Sequence, residues 1–319
     1  MLKQLYKSIS LLTILLATLG CERFNQEIDY ELISLPIQEE ARCILVQGDS
    51  IMIGGGNTNS TGYFIQSDLG LTDFSIITEG LKGELYSFSN FQNRWYFGLD
   101  SVYLFFSDSL PIIEEYYWNE ADWVSDLSKH PMRRFVKTET SLLAIAGGKL
   151  SFGVIYETED GKRWNPLEYD NELRALASFG GITWAGGNGR LMRKEGASDW
   201  QRIDLKKKFI VDMAFVSEKI GFAVTDGGEI LKSSDSGFTW QKIEKGRASL
   251  IHRMKIDNDW IIAVGADGVI AASDNLGEDW RWFQMDEKYD LNDFVILNGE
   301  CLIAAEQGFI VRISLVSLK

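Results

Sequence analysis

Residues 227–243 read GGEILKSSDSGFTWQKI, two short strand-like runs on either side of a Ser-Asp-Ser-Gly turn. Gly237 can adopt a positive φ angle, and the side chains of Ser233 and Asp235 can hydrogen-bond to the backbone of their own turn. Trp240 opens the outgoing run as a large apolar side chain whose indole N–H needs an acceptor. This stretch therefore predicts a β-hairpin whose turn residues have a structural role.

Similar units recur along the chain at intervals of about forty residues, with one longer interval. The apolar residue after each glycine-rich turn marks the repeat, at Phe64, Tyr103, Ile155, Leu191, Ile230, Ile270 and Phe309. Four short strands per unit at even spacing are typical of a propeller blade. The sequence therefore predicts an all-β fold, a seven-bladed β-propeller of four-stranded blades.

The turn motif of residues 227–243 has degenerate copies at the same phase of other units. The copies retain Ser273, Asn275, Gly277 and Trp280 in the next unit, and Gly161, Trp164 and Trp200 in earlier units. Because these residues follow the repeat, we expect them to stabilise blades, as Ser233, Asp235, Gly237 and Trp240 are expected to do.

The last unit ends after Val311–Val316 and lacks an outer strand of the Trp-x-x-Ile type. Tyr30–Ile33, near the other end of the chain, has the same pattern as Trp240–Ile243. We predict that this N-terminal strand completes the last blade and closes the ring, which also covers an exposed strand edge. The propeller is expected to span residues 28–319 without helices.

Residues 1–20 are interpreted as a secretory signal peptide. Met1–Lys7 contains two lysines, and the apolar run Ile9–Leu19 is too short to span a bilayer as a stable helix. Leu19-Gly20-Cys21 resembles a bacterial lipobox, which implies cleavage before Cys21 and lipidation of its thiol. Residues 21–27 would then be a tether. A plain cleaved secretory signal is the alternative.

The pattern S-x-D-x-G-x-T-W of Ser233–Trp240 resembles the Asp box, or bacterial neuraminidase repeat (BNR repeat). With Gly227-Gly228-x-Ile230 in front of it, the unit more closely resembles the repeat of the photosystem II assembly-factor propellers. In these families the Asp box forms the turn between the two outer strands of a blade, far from the ligand-binding face. The resemblance covers residues 28–316 and implies a binding or assembly role, without implying photosynthesis.

Seven residues occupy the expected entries of the inner strands, which line the central channel of a propeller. These residues are Arg42, Tyr86, Arg134, Arg174, Asp212, Arg253 and Asp293. The resemblance to the assembly factors implies that the arginines form a basic patch for the tail of a partner, and a guanidinium can bind a carboxylate bidentately. Alternatively, the arginines and aspartates form ion pairs that only hold the blades together.

The longest interval between repeats, from Tyr103 to Ile155, contains an insertion. Glu114–Trp123 reads EEYYWNEADW, in which the aromatic residues are Tyr116, Tyr117, Trp118 and Trp123. An aromatic and acidic loop is typical of a surface that recognises a sugar, a peptide or a cation. The alternative is a loop that folds onto its own blade.

Composition and charge exclude several classes of function. The 319-residue chain has globular composition, and its net charge of −14 disfavours a nucleic-acid partner. Its two histidines exclude a His-rich metal site, so neither a metal nor another cofactor is predicted.

Sialidases share the Asp box, but the Arg-Ile-Pro segment and a Tyr–Glu pair expected of them are missing. Asp212 and Asp293 could in principle form a glycosidase acid/base pair.

These observations predict a monomeric, non-catalytic binding or assembly scaffold of the bacterial cell envelope, attached to the membrane only through its lipid. The expected partner is an envelope protein or peptide. A carbohydrate-binding or glycosidase-like protein is the alternative.

Cys43 and Cys301 lie in the first and last repeats, which are neighbours in a closed ring. The sequence leaves open whether they form a disulfide or remain two buried thiols.

Overall fold

The computed structural model describes residues 28–57, 61–100, 104–110, 112–116, 131–148, 152–244 and 250–319. Within these ranges the chain forms β-strands and contains no α-helix. Three 3-10 helices cover Ala266–Gly268, Glu306–Gly308 and Leu315–Leu318. None of the helices in the described ranges is long and apolar enough to cross a membrane. The proposed signal peptide, the tether and Cys21 lie outside the described residues.

The strands are numbered in chain order. They are β1 (Glu31–Ser34), β2 (Ala41–Gln47), β3 (Ser50–Gly56), β4 (Gly62–Asp68), β5 (Phe74–Leu81), β6 (Leu85–Phe91), β7 (Arg94–Leu99), β8 (Leu104–Ser109), β9 (Ile112–Tyr116), β10 (Met132–Lys137), β11 (Leu142–Gly148), β12 (Phe152–Thr158) and β13 (Asn165–Tyr169). The second half contains β14 (Leu173–Phe179), β15 (Ile182–Glu195), β16 (Gln201–Phe215), β17 (Gly221–Thr225), β18 (Ile230–Ser233), β19 (Gln241–Glu244), β20 (Ile251–Asp257), β21 (Trp260–Gly265), β22 (Val269–Ser273), β23 (Arg281–Gln284), β24 (Leu291–Leu297), β25 (Glu300–Ala305) and β26 (Phe309–Ser314).

The described strands form antiparallel sheets around a central channel. Five sheets have four strands: β2 to β5, β6 to β9, β10 to β13, β20 to β23, and β24-β25-β26-β1. The sixth sheet contains β14 to β19. The inner strands contact one another in a closed cycle of β2, β6, β10, β14, the second half of β16, β20 and β24. This arrangement confirms the predicted all-β propeller.

The prediction that every unit forms a separate four-stranded sheet is wrong for the units around Leu191 and Ile230, which share the six-stranded sheet. β15 reverses at Gly189, whose φ is 71°, and the Gly196 N–H donates to Gly181 O over 2.9 Å. One backbone pair, Asn188 with Phe209, then links β15 to the second half of β16. A single tertiary pairing of this kind leaves no periodic signal in a sequence.

The N-terminal strand closes the ring, as predicted. β1 pairs with β26 in a register that runs from Glu31 opposite Arg312 to Ser34 opposite Phe309. The Leu35 N–H donates to Gly308 O over 2.8 Å, and the Leu35 side chain is buried. The outer edge of the last sheet is therefore covered by a strand from the other end of the chain.

The turn at Ser233–Trp240 is held by its own side chains. Ser233 Oγ accepts from the Gly237 N–H at 2.9 Å, and Asp235 Oδ1 accepts from the Thr239 N–H at 2.8 Å. The Trp240 indole donates to Gly237 O at 2.9 Å. Gly237 has φ 85°, a left-handed conformation that favours glycine. These contacts close the hairpin between the outer strands β18 and β19, which is the structural role predicted for Asp235.

The degenerate copies of this turn retain parts of the same network. Ser273 Oγ accepts from the Gly277 N–H at 2.9 Å, and Asn275 Oδ1 replaces the aspartate as acceptor for the Asp279 N–H at 3.0 Å. In an earlier copy Tyr96 donates to Gly161 O at 2.9 Å, and its ring meets the buried Trp164 edge to face. Trp200 and Trp280 are half-buried against apolar clusters between sheets.

Cys43 and Cys301 are both buried and both free. Cys43 packs with Phe64, Leu85 and their neighbours, whereas Cys301 belongs to a different apolar cluster around Phe294. The two thiols therefore contribute separately to packing between sheets, which decides the question that the sequence left open.

Candidate functional site

Every inner strand carries a β-bulge one residue after its first paired residue. In β2, for example, Ala41 pairs with Gly55 and Cys43 pairs with Gly54, so that Arg42 has no partner residue. The bulged residues are Arg42, Tyr86, Arg133, Arg174, Val211, His252 and Asn292. We call this set the bulge ring. A bulge re-aims its side chain, and all seven of these side chains line one mouth of the channel.

The residue that follows each bulge forms a second ring, which we call the barrier ring. Its members are Cys43, Ser87, Arg134, Ala175, Asp212, Arg253 and Asp293. The sequence prediction treated seven residues as equivalent, and this is wrong. Arg42, Tyr86 and Arg174 belong to the bulge ring, whereas Arg134, Asp212, Arg253 and Asp293 belong to the barrier ring.

The sequence prediction missed four members of the bulge ring, namely Arg133, Val211, His252 and Asn292. Each lies one residue before a predicted position. Counting back from the glycine-rich turn cannot place an unpaired residue, because the bulge is seen only in the pairing with the neighbouring strand. A signal that could have found them is the apolar residue directly before each bulge, which is the first apolar residue of the strand in six of the seven strands.

The bulge ring encloses a cavity of 260 Å³. The remaining lining comes from Leu250 and from Arg134 and Arg253 of the barrier ring. Among the described residues this lining contains five guanidinium groups and no carboxylate. The cavity surface therefore presents guanidinium groups whose carboxylate partners lie outside its lining.

Buried carboxylates behind the mouth orient its arginines. Arg42 forms ion pairs with Glu84, which is fully buried, and with Glu40 at 2.8 Å. Burial raises the pKa of Glu84 above its usual range, and Arg42 partly offsets this effect. The Tyr86 ring lies near two guanidinium groups, 5.7 Å from that of Arg42 and 5.8 Å from that of Arg133. These cation–π contacts help to fix the positions of the Arg42 and Arg133 side chains beside Tyr86.

Arg174 and Arg133 share one buried carboxylate on the neighbouring part of the mouth. Arg174 Nε lies 2.8 Å from Glu172 Oε1, and Arg133 Nη2 lies 3.6 Å from the same oxygen. Glu172 is 2% exposed. Burial and the adjacent Arg174 lower the pKa of Arg133. Two cations therefore compete for one anion here, which favours a further anionic group supplied by a ligand.

Asp212 and Asp293 of the barrier ring connect neighbouring inner strands. Asp212 accepts from the Met213 N–H on its own strand and from the Met254 N–H on the next, at 3.0 and 2.8 Å. Asp293 accepts similarly from Phe294 and from Ile44 across the closure of the ring. Both carboxylates are buried and already accept hydrogen bonds from two inner strands. They therefore fit the alternative of ion pairs that hold the blades together better than that of a glycosidase acid/base pair.

Arg253 joins these two carboxylates. Its Nε lies 2.6 Å from Asp293 Oδ1, and its Nη1 lies 4.0 Å from Asp212 Oδ2. Burial alone would raise the pKa of Asp293, but Arg253 and Lys255 hold it below its usual range. Burial raises the pKa of Asp212. The barrier ring thus contains ion pairs between inner strands, whereas the bulge ring lines the mouth cavity.

The aromatic insertion is described only in part. Tyr116 is the last residue of β9, where its backbone pairs with Leu104 of β8. Tyr117, Trp118 and Trp123 lie outside the described residues. The described residues contain no cluster of His, Cys, Asp and Glu suited to a metal ion.

Comparison with known proteins gives a sequence match over part of the chain. Residues 192–301 match the model of the family described as Photosynthesis system II assembly factor YCF48. This match confirms the resemblance that the Gly227–Trp240 pattern predicted. No curated protein sequence matches the chain significantly.

Solved structures match nearly the whole chain in fold. A structure described as YCF48 bound to D1 peptide has a TM-score of 0.69 at 16% identity, covering 92% of this chain and 97% of that one. YCF48 from Cyanidioschyzon merolae has a TM-score of 0.68 at 11% identity, covering 90% and 99%. Virginiamycin B lyase from Staphylococcus aureus has a TM-score of 0.71 at 13% identity, also covering 90% and 99%. The chain is thus a β-propeller that resembles the photosystem II assembly factors in sequence over residues 192–301 and in fold over most of its length.

Proposed function

We propose that this protein is a non-catalytic scaffold that binds a protein or peptide partner at the bulge ring. The observation that carries the proposal is the 260 Å³ cavity, which five guanidinium groups line without a carboxylate among the described residues. The partner would present an acidic side chain or a terminal carboxylate, because a guanidinium binds a carboxylate through two parallel hydrogen bonds. A solved structure similar in fold contains YCF48 with a D1 peptide, which supports a peptide as the class of partner.

The aromatic insertion would extend this surface. Its described part, β9, is the outer strand of the sheet that begins with β6, and β6 also carries Tyr86 of the bulge ring. We propose that Tyr116, Tyr117, Trp118 and Trp123 contribute to partner binding. Trp118→Ala and Trp123→Ala variants would then weaken capture of the same partner that the arginines bind.

We also infer a count of seven blades, with the six-stranded sheet counted as two. The count is supported by the equivalent bulges on β2, β6, β10, β14, β16, β20 and β24. The ladder between β15 and β16 is interrupted between Asn188 and Arg190, where one unit ends and the next begins.

For location, we propose a monomeric lipoprotein of the bacterial cell envelope, anchored through Cys21. The support is the sequence of residues 1–21. Metabolic labelling with a palmitate analogue should mark the wild-type chain and leave a Cys21→Ser variant unmarked. Equal labelling of both chains would contradict the anchor while leaving the partner-binding proposal intact.

The partner-binding proposal is tested by affinity capture from the envelope fraction of the source cells. A variant with Arg42→Ala, Arg133→Ala and Arg174→Ala should lose a defined partner that the wild type retains. Arg202→Ala is the matched control, because Arg202 is an exposed arginine paired with Asp170 away from the mouth. Equal recovery of every partner by wild type and triple variant would contradict the proposal.

An enzymatic or carbohydrate-binding function is the second candidate. A fold neighbour, virginiamycin B lyase, is an enzyme by its name, which keeps this class open. Turnover of fluorogenic glycosides or sialosides that Asp212→Asn abolishes would overturn the non-catalytic proposal. Glycan-array binding that depends on Trp118 and Trp123 would favour a sugar as the ligand of the insertion.

A further inference from the structure

Beyond the barrier ring the channel holds a second cavity, of 460 Å³, which we call the rear chamber. Arg134 and Arg253 line both the rear chamber and the mouth cavity, so they form the boundary between the two. The volume lies within the range of about 300–1,000 Å³ that is usual for small-molecule pockets. The two cavities can therefore hold different ligands.

Most of the residues that line the rear chamber are apolar. Three residues beyond the bulges, five of the inner strands place a ring of residues in this lining, namely Leu45, Val136, Ala177, Ala214 and Lys255. Lys255 is the single charged member of this ring. Leu45, Val136 and Ala214 line the chamber and are half-buried, as is the adjacent Phe135. An apolar wall with one cation is a typical arrangement for orienting an amphipathic ligand.

The polar groups at the inner end of the chamber carry an excess of positive charge. Arg134, Arg253 and Lys255 face Asp212 and Asp293, which leaves one positive charge unbalanced. The two carboxylate side chains are only 4% exposed, whereas the side chain of Lys255 is 34% exposed. The cation is therefore the charged group that a ligand can reach most readily.

Lys255 also retains hydrogen-bonding capacity. Its ammonium donates to Asp293 Oδ1 at 2.7 Å and to the Phe294 carbonyl oxygen. An ammonium group has three N–H donors, and these two contacts use two of them. A carboxylate in the chamber could accept the third.

We propose that the rear chamber binds a small amphipathic anion, a monocarboxylate whose charged end meets Lys255 and whose apolar body lies against Leu45, Phe135 and Val136. The argument rests on charge complementarity, on the volume of the cavity and on the single cation in an apolar ring. The site is separate from the partner-binding mouth, since Arg134 and Arg253 lie between them. It does not depend on the function proposed for that mouth.

The test is isothermal titration calorimetry with unbranched carboxylates from butanoate to decanoate. Affinity should rise about fourfold with each added CH₂ group until the chamber is filled, because burying a CH₂ group contributes about 0.8 kcal/mol. The alcohol of the same length should bind at least about tenfold more weakly, because it lacks the charge-assisted hydrogen bond to the ammonium. Absence of binding across the series, or equal affinity for alcohol and carboxylate, would overturn the proposal.

Three variants locate the ligand. Lys255→Met should lower carboxylate affinity at least about tenfold, whereas Lys255→Arg, which keeps the charge and tests for a folding defect, should retain binding. Arg202→Ala, at an exposed pair away from the channel, should leave affinity unchanged. Binding that survives in Lys255→Met or disappears in Arg202→Ala would place the anion elsewhere and contradict the proposal.

Discussion

Arg134 on β10 donates from Nη2 to the carbonyl oxygen of His252 on β20, over 3.2 Å, and so spans the central channel. β14 and the second half of β16 lie between these two strands in the cycle of inner strands. The Arg134 Nε also donates to Arg174 O at 2.8 Å, and its Nη2 lies 3.5 Å from Asp212 Oδ2. The channel is therefore crossed by one side chain that contacts three other inner strands.

Replacing Arg134 should destabilise the propeller. Arg134→Ala removes two hydrogen bonds to carbonyl oxygens and a contact with the buried Asp212, so we expect a loss of about 2–3 kcal/mol in the free energy of unfolding. Urea denaturation measures the change. Arg202→Ala, which breaks an exposed pair with Asp170, should cost less than about 0.5 kcal/mol. Equal losses of unfolding free energy in the two variants would mean that the contacts of Arg134 across the channel do not stabilise the propeller.

Two glycines with similar backbone angles should differ in their tolerance of a side chain. Gly277 has φ 79° and Gly299 has φ 82°. A Cβ at Gly277 would lie 2.5 Å from the ring of the buried Phe222, whereas a Cβ at Gly299 would meet open space. We expect Gly299→Ala to cost about 1 kcal/mol for the left-handed backbone and Gly277→Ala to cost about 1–3 kcal/mol more.

Thermal unfolding of the two alanine variants in parallel provides the measurement. The comparison removes the contribution of backbone strain, so the difference in Tm reports the packing of Phe222 against the Asp-box turn. Identical values of Tm would show that this turn does not lock into the neighbouring sheet.

His252 should make stability depend on pH. Burial lowers its pKa below the ordinary 6.5, against the opposing effects of Asp290 and of the contact with Leu291 O. The neutral ring is therefore favoured in the folded state. Its contribution to stability is complete above pH 6.5 and is lost as the pH falls through 6.5 towards the lowered pKa, because the unfolded state then binds more protons.

A His252→Gln variant isolates this contribution. Between pH 7.5 and pH 5.5 the wild type should lose more unfolding free energy than the variant, by at most about 1.4 kcal/mol per pH unit. Denaturant titrations at several pH values give the two curves. Parallel curves would mean that the folded and unfolded states bind the His252 proton equally.

Local chemistry explains why the Asp-box turns were predictable from the sequence. Ser233 and Asp235 bond to backbone groups within four residues of themselves, so the information that forms the turn is contained in the motif. The closing strand was predictable for a related reason. The pattern of Tyr30–Ile33 supplies the strand that the last repeat lacks, and β1 does pair with β26.

The candidate site was predicted only in outline. The period indicated that arginines cluster at the entries of the inner strands, but it did not separate the bulge ring from the barrier ring. Arg133 and Arg134 are adjacent in sequence, yet Arg133 lines only the mouth cavity, whereas Arg134 lies between the mouth cavity and the rear chamber. Glu84 and Glu172 were also not predicted, because no local pattern indicates which acidic residues become buried ion-pair partners of the arginines.

The sequence by itself determined the repeat, the hairpin turns, the closing strand and the presence of basic residues near the channel, because each depends on the spacing or chemistry of nearby residues. Only the tertiary structure decided the bulge register, the joining of two units through Asn188 and Phe209, and the division of the channel by Arg134. These features depend on pairing and contact between residues far apart in the chain, for which a one-residue offset changes the face a side chain occupies.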